Sequence, residues 1–157
     1  MTLQEKLLKI KAFALDIDGV ITDGSVLVTA DGKPLRNFNE KDGFGLRMAA
    51  THDYPVGVIT GGSVESVRFR MTQYGVKYED VYMHSCNKIA DFRKFCEKYG
   101  LQPDEVLFMG DDLPDLSCIM AAGVGVAPAD AAPEALEAAD FISPCVGGRG
   151  VVRNAIE

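Results

Sequence analysis

Five apolar runs of strand length punctuate the chain, at 12–17, 56–59, 81–83, 106–109 and 124–126, and segments with helical spacing fill the intervals. Residues 63–74 place Val64, Val67 and Met71 on one helical face. Residues 87–99 space Ile89, Phe92, Phe95 and Cys96 by three, three and one, and 43–51 carries Phe44, Leu46 and Met48. Strands that take turns with helices pair in parallel through right-handed crossovers, and the helices cover both faces of the sheet. The expectation is an α/β fold with a doubly wound, mostly parallel sheet. One interval departs from the alternation: Val26-Leu27-Val28 and Leu35-Arg36-Asn37-Phe38 flank Asp31-Gly32-Lys33-Pro34, which reads as a β-hairpin projecting from the sheet.

Sheets of this kind bind ligands at the carboxyl ends of their strands. Asp16 and Asp18 close the first run and Gly19 follows at once; Gly110-Asp111-Asp112 closes the fourth run in the same way, with Asp115 one turn further on. Each acid taken alone has an ordinary reading, because Asp-Gly marks turns and Asp caps helices. Two strands ending in acid at one sheet edge point instead to a cation, since buried carboxylates are costly unpaired. Thr60-Gly61-Gly62-Ser63 follows the second run and opens a helix, so it is either a phosphate cradle of free N–H groups or a Gly-rich turn with Ser63 as N-cap. Lys88 starts the next helix, where a cation is disfavoured unless an anion is bound nearby.

At 157 residues the chain is expected to form one domain, 1–157, with a sizeable core. Its formal charge of −7 gives no footprint for nucleic acid or an anionic membrane. No stretch approaches the ~20 apolar residues that span a bilayer, and the charged lead-in 1–11 does not read as a signal peptide, so the cytoplasm is the expected location. Cys86, Cys96, Cys118 and Cys145 are scattered, with only His52 and His84 beside them, which argues against zinc and for reduced, mostly buried thiols. His84-Ser85-Cys86 could belong to a nucleophilic site or to a helix-entry loop, the latter being the simpler setting.

In chain order, Asp16-x-Asp18-Gly19, Thr60, Lys88 and Gly110-Asp111-Asp112-x-x-Asp115 resemble the four motifs of the haloacid dehalogenase superfamily of phosphohydrolases. That resemblance implies a Rossmann-like core and an aspartyl-phosphate route: Asp16 as nucleophile, Asp18 as acid and then base, and Thr60 and Lys88 on the phosphoryl oxygens. It also implies Mg2+ held by Asp16, the Asp18 carbonyl and Asp111, with Asp112 and Asp115 in support. A phosphoacceptor signalling module uses similar groups but places its phosphorylated Asp and its Lys later along the sheet.

The intervals between motifs leave no room for a cap domain. Among cap-less relatives the strings 16–24, 38–46, 59–61, 87–88, 110–115 and 147–150 resemble the 3-deoxy-D-manno-octulosonate 8-phosphate phosphatases, which free a sugar acid for lipopolysaccharide. The resemblance implies a homotetramer whose hairpins meet in a central barrel and whose neighbouring subunits help close each site. Candidate contacts to the sugar-acid phosphate are then Asp42, Gly61, Gly62, Arg68, Arg70 and Arg149, the arginines having the alternative of an exposed helix face or turn. A nine-carbon ulosonate 9-phosphate of sialic-acid type, or a noncatalytic phosphate-binding role, remain the alternatives. Gly62 is expected to leave an open wall beside the phosphate loop.

Overall fold

A computed structural model describes residues 1–157. In chain order the elements are α1 (Leu3–Leu7), β1 (Ala12–Leu15), β2 (Leu27–Val28), β3 (Pro34–Leu35), α2 (Glu40–Thr51), β4 (Val56–Ile59), α3 (Glu65–Gln73), β5 (Val81–Tyr82), α4 (Lys88–Lys98), β6 (Val106–Met109), α5 (Leu116–Ala121), β7 (Val124–Ala127), α6 (Pro133–Ala138), β8 (Phe141–Ile142) and α7 (Val151–Ile156). The main sheet has the order β5-β4-β1-β6-β7-β8, and all its pairings are parallel. All five expected strands are present; β8, two residues long, carries too short an apolar signal to stand out in the sequence.

Side-chain alternation along the strands divides the core in two. Phe13, Leu15, Val56, Val58, Leu107 and Met109 face Leu46 and Ala49 of α2, Val67 and Met71 of α3, and Val152 of α7. Ala12, Ala14, Ile59, Val106 and Phe108 face Phe92 and Phe95 of α4, Cys118 and Ile119 of α5, and Ala135 of α6. The small strand residues on the second face make room for aromatic bulk. A Cβ at Gly57 would stand 2.9 Å from the Phe95 ring, and Phe92 meets Phe108 edge-on at 5.7 Å. Burying each of these rings contributes roughly 1.5–3 kcal/mol. Of the four thiols, none paired, Cys96 and Cys118 are buried while Cys86 is exposed.

The chain enters the sheet at its centre, winds outward through β4 and β5, then returns to build the other half from β6 to β8. The direction of winding reverses between β1 and β6, and their register, Leu15 opposite Met109, brings Asp16 and Gly110 out of the sheet side by side. A crevice at this point is where a doubly wound sheet takes its ligand. The short β2–β3 pair is antiparallel, and its apolar side chains stand in solvent, Leu27 70% and Val28 63% exposed.

One expectation at this edge is corrected. Ser63 does not cap α3; the N-cap is Val64, without a side-chain hydrogen bond, and the helix starts at Glu65. In this loop the Gly62 N–H donates to Thr60 Oγ1 (3.1 Å) and the Gly62 carbonyl accepts from His84 N–H (3.0 Å). His84 belongs to this loop pairing, with φ +53°, as a helix-entry residue before α4.

Candidate active site

Asp16 leaves β1 into a tight turn, 17–21, in which Asp18 is extended and Gly19 takes φ +82°. Only glycine fits there, since a Cβ would stand 1.8 Å from Asp111 Oδ2. The turn is backed by the loop 147–148: the Gly148 N–H donates to the Val20 carbonyl at 2.9 Å, and a Cβ on Gly147 would stand 2.2 Å from the Gly19 carbonyl. One Asp16 oxygen accepts from the Ile17 N–H (2.7 Å), and the other meets Lys88 Nζ at 2.9 Å. Lys88, first residue of α4 with a side chain only 7% exposed, also meets Asp115 Oδ1 at 2.8 Å. The second oxygen of the fully buried Asp115 accepts from the N–H groups of Asp111 (3.0 Å) and Asp112 (3.3 Å). Asp115 therefore fixes both the lysine and the loop after β6.

Carboxylate oxygens of Asp16, Asp111 and Asp115 lie within 4.8 Å of one another. Burial first, and then the Asp115 charge, push the Asp16 carboxyl up to about 7; burial and then Asp16, Asp115 and Asp112 push Asp111 up to about 7. Burial by itself would lower the Lys88 amine, but Asp16 and Asp115 outweigh it and raise it. Three carboxylates against one amine leave two negative charges in excess, which one divalent cation neutralises. The donors are hard oxygens, Asp111 has no hydrogen-bonding group on its carboxylate, and Gly19 leaves that carboxylate its space. The residues fit Mg2+.

The sign of the resulting pH dependence follows directly. Between about pH 4 and 7 the folded, metal-free chain keeps protons on Asp16 and Asp111 that the unfolded chain has released, so these groups favour folding at low pH and that contribution is lost as pH rises through about 7. Mg2+, which competes with those protons, is expected to raise the melting temperature more at pH 8 than at pH 5. Equal increments at the two pH values, in thermal melts with Mg2+ or chelator, would contradict the cluster as the cation site.

A family model described as haloacid dehalogenase-like hydrolase matches residues 62–154. The chain belongs to this family. It is 36% identical over 148 residues to the 3-deoxy-D-manno-octulosonate 8-phosphate phosphatase of Escherichia coli K12, covering 94% of this chain and 78% of that protein. Among solved structures, the enzyme of that name from Yersinia pestis superposes with a TM-score of 0.93 at 32% identity, covering 97% of this chain and 81% of that one. The one from Moraxella catarrhalis, in complex with magnesium, phosphate and a KDO molecule, gives 0.92 at 28% identity, covering 97% and 86%.

Thr60, expected from the sequence to contact phosphoryl oxygens, is buried at the end of β4, its N–H donating to the Tyr82 carbonyl and its carbonyl accepting from Ser85 N–H. Sequence reasoning missed one residue here. Arg36, just after β3 in the hairpin, grips Asp18 with both edges of the carboxylate, Nε to Oδ1 at 2.7 Å and Nη2 to Oδ2 at 3.1 Å. The same guanidinium covers Gly62, standing 3.4 Å from where a Cβ would be, so the wall expected to be open is occupied. Its available signal is a single charged residue in the hairpin arm Leu35-Arg36-Asn37-Phe38.

Five further candidate residues are placed by the structure away from the carboxylate cluster or in other pairings. Asp42 is fully buried and touches no substrate crevice; its oxygens accept from the N–H groups of Gly150 and Arg153, both at 3.0 Å, and so cap α7. Arg68 is spent on Glu65, the Tyr78 hydroxyl and the Val81 carbonyl. Arg70 pairs with Glu40, Gln73 and Tyr74, tying α3 to α2, although it also borders a cavity of about 300 Å³ beneath the hairpin, shared with Arg36. Arg149 is exposed beside Asp23 rather than among the carboxylates, and Asp112 is likewise exposed, capping the turn at Leu113. Asp42→Ala is accordingly expected to cost about 2 kcal/mol of folding stability, the scale of a lost cap with stranded N–H groups, while kcat/KM of the folded protein changes less than about threefold. Denaturant melts and initial rates test this; a large kcat/KM loss at full stability would restore Asp42 to the substrate.

Proposed function

We propose that this chain is a Mg2+-dependent phosphatase that hydrolyses 3-deoxy-D-manno-octulosonate 8-phosphate through a phosphorylated Asp16. The observation that carries the reading is the joint placement of Asp16, Lys88, Asp115 and Asp111 at the point where the sheet reverses its winding. The named substrate rests on the relatives, whose names state that activity.

The chemistry divides among the chain's own groups. Asp16 attacks phosphorus with the oxygen not held by Ile17, in line with the departing alcohol, while Asp18 two residues on delivers a proton to that alcohol. Asp18 then takes a proton from the water that frees Asp16. Lys88 and Thr60 hold phosphoryl oxygens as negative charge spreads over them, and Asp115 keeps Lys88 from rotating away. Bound Mg2+, held by Asp16 and Asp111, supplies charge neutralisation of the phosphoryl group.

No helix is long and apolar enough to cross a membrane; the proposed setting is the cytoplasm. The exposed apolar hairpin supports a homotetramer in which hairpins pack together and neighbours close each open crevice. The test is phosphate release from a panel of eight- and nine-carbon ulosonate phosphates with Mg2+, beside a native mass measurement. The eight-carbon ester should be turned over best by a particle of four chains. Preference for the nine-carbon ester would overturn the substrate, and a monomer would overturn the assembly.

A further inference from the structure

Asp18 and Arg36 form a two-point ion pair at the crevice. Each edge of the Asp18 carboxylate accepts from Arg36 and from no other group, and Asp18 is the only hydrogen-bond partner the Arg36 guanidinium has. Its third nitrogen, Nη1, is buried without a partner. The Arg36 side chain is only 10% exposed, whereas Asp18 keeps 37% open to the crevice. A guanidinium normally stays in water or satisfies its donors when buried. One that is withdrawn from solvent for a single carboxylate is placed there for that carboxylate.

We propose that Arg36 is the positioning residue of Asp18. Asp18 sits in the turn after β1 at φ −71° and ψ 125°, with no hydrogen bond from the turn itself to hold its side chain. The planar fork of Arg36 sets the rotation of that carboxylate, which a single-point ammonium does not do. The guanidinium lies over Gly62 of the Thr60 loop, its Nη2 3.4 Å from where a Cβ would be, so the group proposed to move protons and the loop proposed to hold phosphate border the same residue. Arg36 comes from the hairpin, so the hairpin is part of the active site of its own chain.

This inference rests on the proton-transfer role of Asp18 in the proposed function, and the experiment separates the two. First-turnover alcohol release is followed after rapid mixing with two Mg2+-supplemented substrates: an alkyl sugar phosphate, whose leaving oxygen needs a proton, and 4-nitrophenyl phosphate, whose leaving group does not. Arg36→Gln is expected to slow the alkyl ester about 100-fold, the scale of a lost general acid, and the nitrophenyl ester less than about fivefold. Arg36→Lys, which keeps the charge without the fork, should fall between, and remains informative where the glutamine variant folds poorly. In an Asp18→Asn background Arg36→Gln should add no further loss. Equal slowing of both esters, or a further loss in the Asp18→Asn background, would overturn the positioning role and leave Asp18 in place. An Asp18→Asn protein as fast as wild type on the alkyl ester would remove both.

Discussion

Asp16→Asn is expected to lower turnover of every phosphate ester by at least about 10⁴-fold, the scale seen when a covalent nucleophile is removed, while the protein still folds and still binds inorganic phosphate with Mg2+. The amide is close to the carboxylate in shape, and its oxygen can still accept from the Ile17 N–H. Lys88 keeps Asp115 as partner, so the phosphate-binding side of the site survives. Only the attacking anion is gone. Because burial and Asp115 oppose ionisation of Asp16, the neutral amide also relieves repulsion, and the metal-free melting temperature at pH 8 should hold or rise. Initial rates, phosphate calorimetry and thermal melts report the three parts separately, and retained turnover would end the nucleophile assignment.

Lys88→Met is the second large effect, and it is expected in both activity and stability. Methionine matches the length of the lysine stem and leaves Asp16 and Asp115 facing one another without a counter-charge. Removing one partner from a buried ionic network costs about 3–5 kcal/mol, because the desolvated charges that remain are uncompensated. Stability should therefore fall by about that amount at pH 8 and recover in part towards pH 5, where the stranded carboxylates can take up protons. Turnover should fall by at least about 10²–10³-fold, the scale of one lost donor to a charged transition state. Denaturant melts at the two pH values and steady-state rates test it; a variant of ordinary stability at pH 8 would show that the network does not depend on the amine.

Much of this site could be read in the linear chain, and the reason is local. Asp16, Thr60, Lys88 and Asp111 each stand next to a strand end or a helix start, so an apolar run and a turn suffice to place them on one edge of the sheet. What escaped reading depends on pairings between distant stretches. Arg36 resembles a solvated strand cation until its hairpin folds back onto Asp18. Asp42 lies in a string that looks functional, yet its partners are N–H groups 108 and 111 positions away, at the start of α7. Arg68 and Arg70 follow the Thr60 loop closely in sequence, but helix geometry turns them toward Tyr78 and Tyr74. Ser63 has the right identity for a cap, but the helix starts one residue too late for it, with Val64 in the cap position.

The seam between Gly147-Gly148 and the turn that carries Asp18 has a temporal consequence. The two strips of main chain touch with no room for a side chain, although they stand far apart along the sequence. During synthesis Asp16 and Asp18 leave the ribosome before the loop that braces their turn has been made. The turn thus acquires its working shape only after Gly147 and Gly148 have been made, and a nascent chain interrupted before Gly147 would carry the carboxylates of the site without the support for their turn.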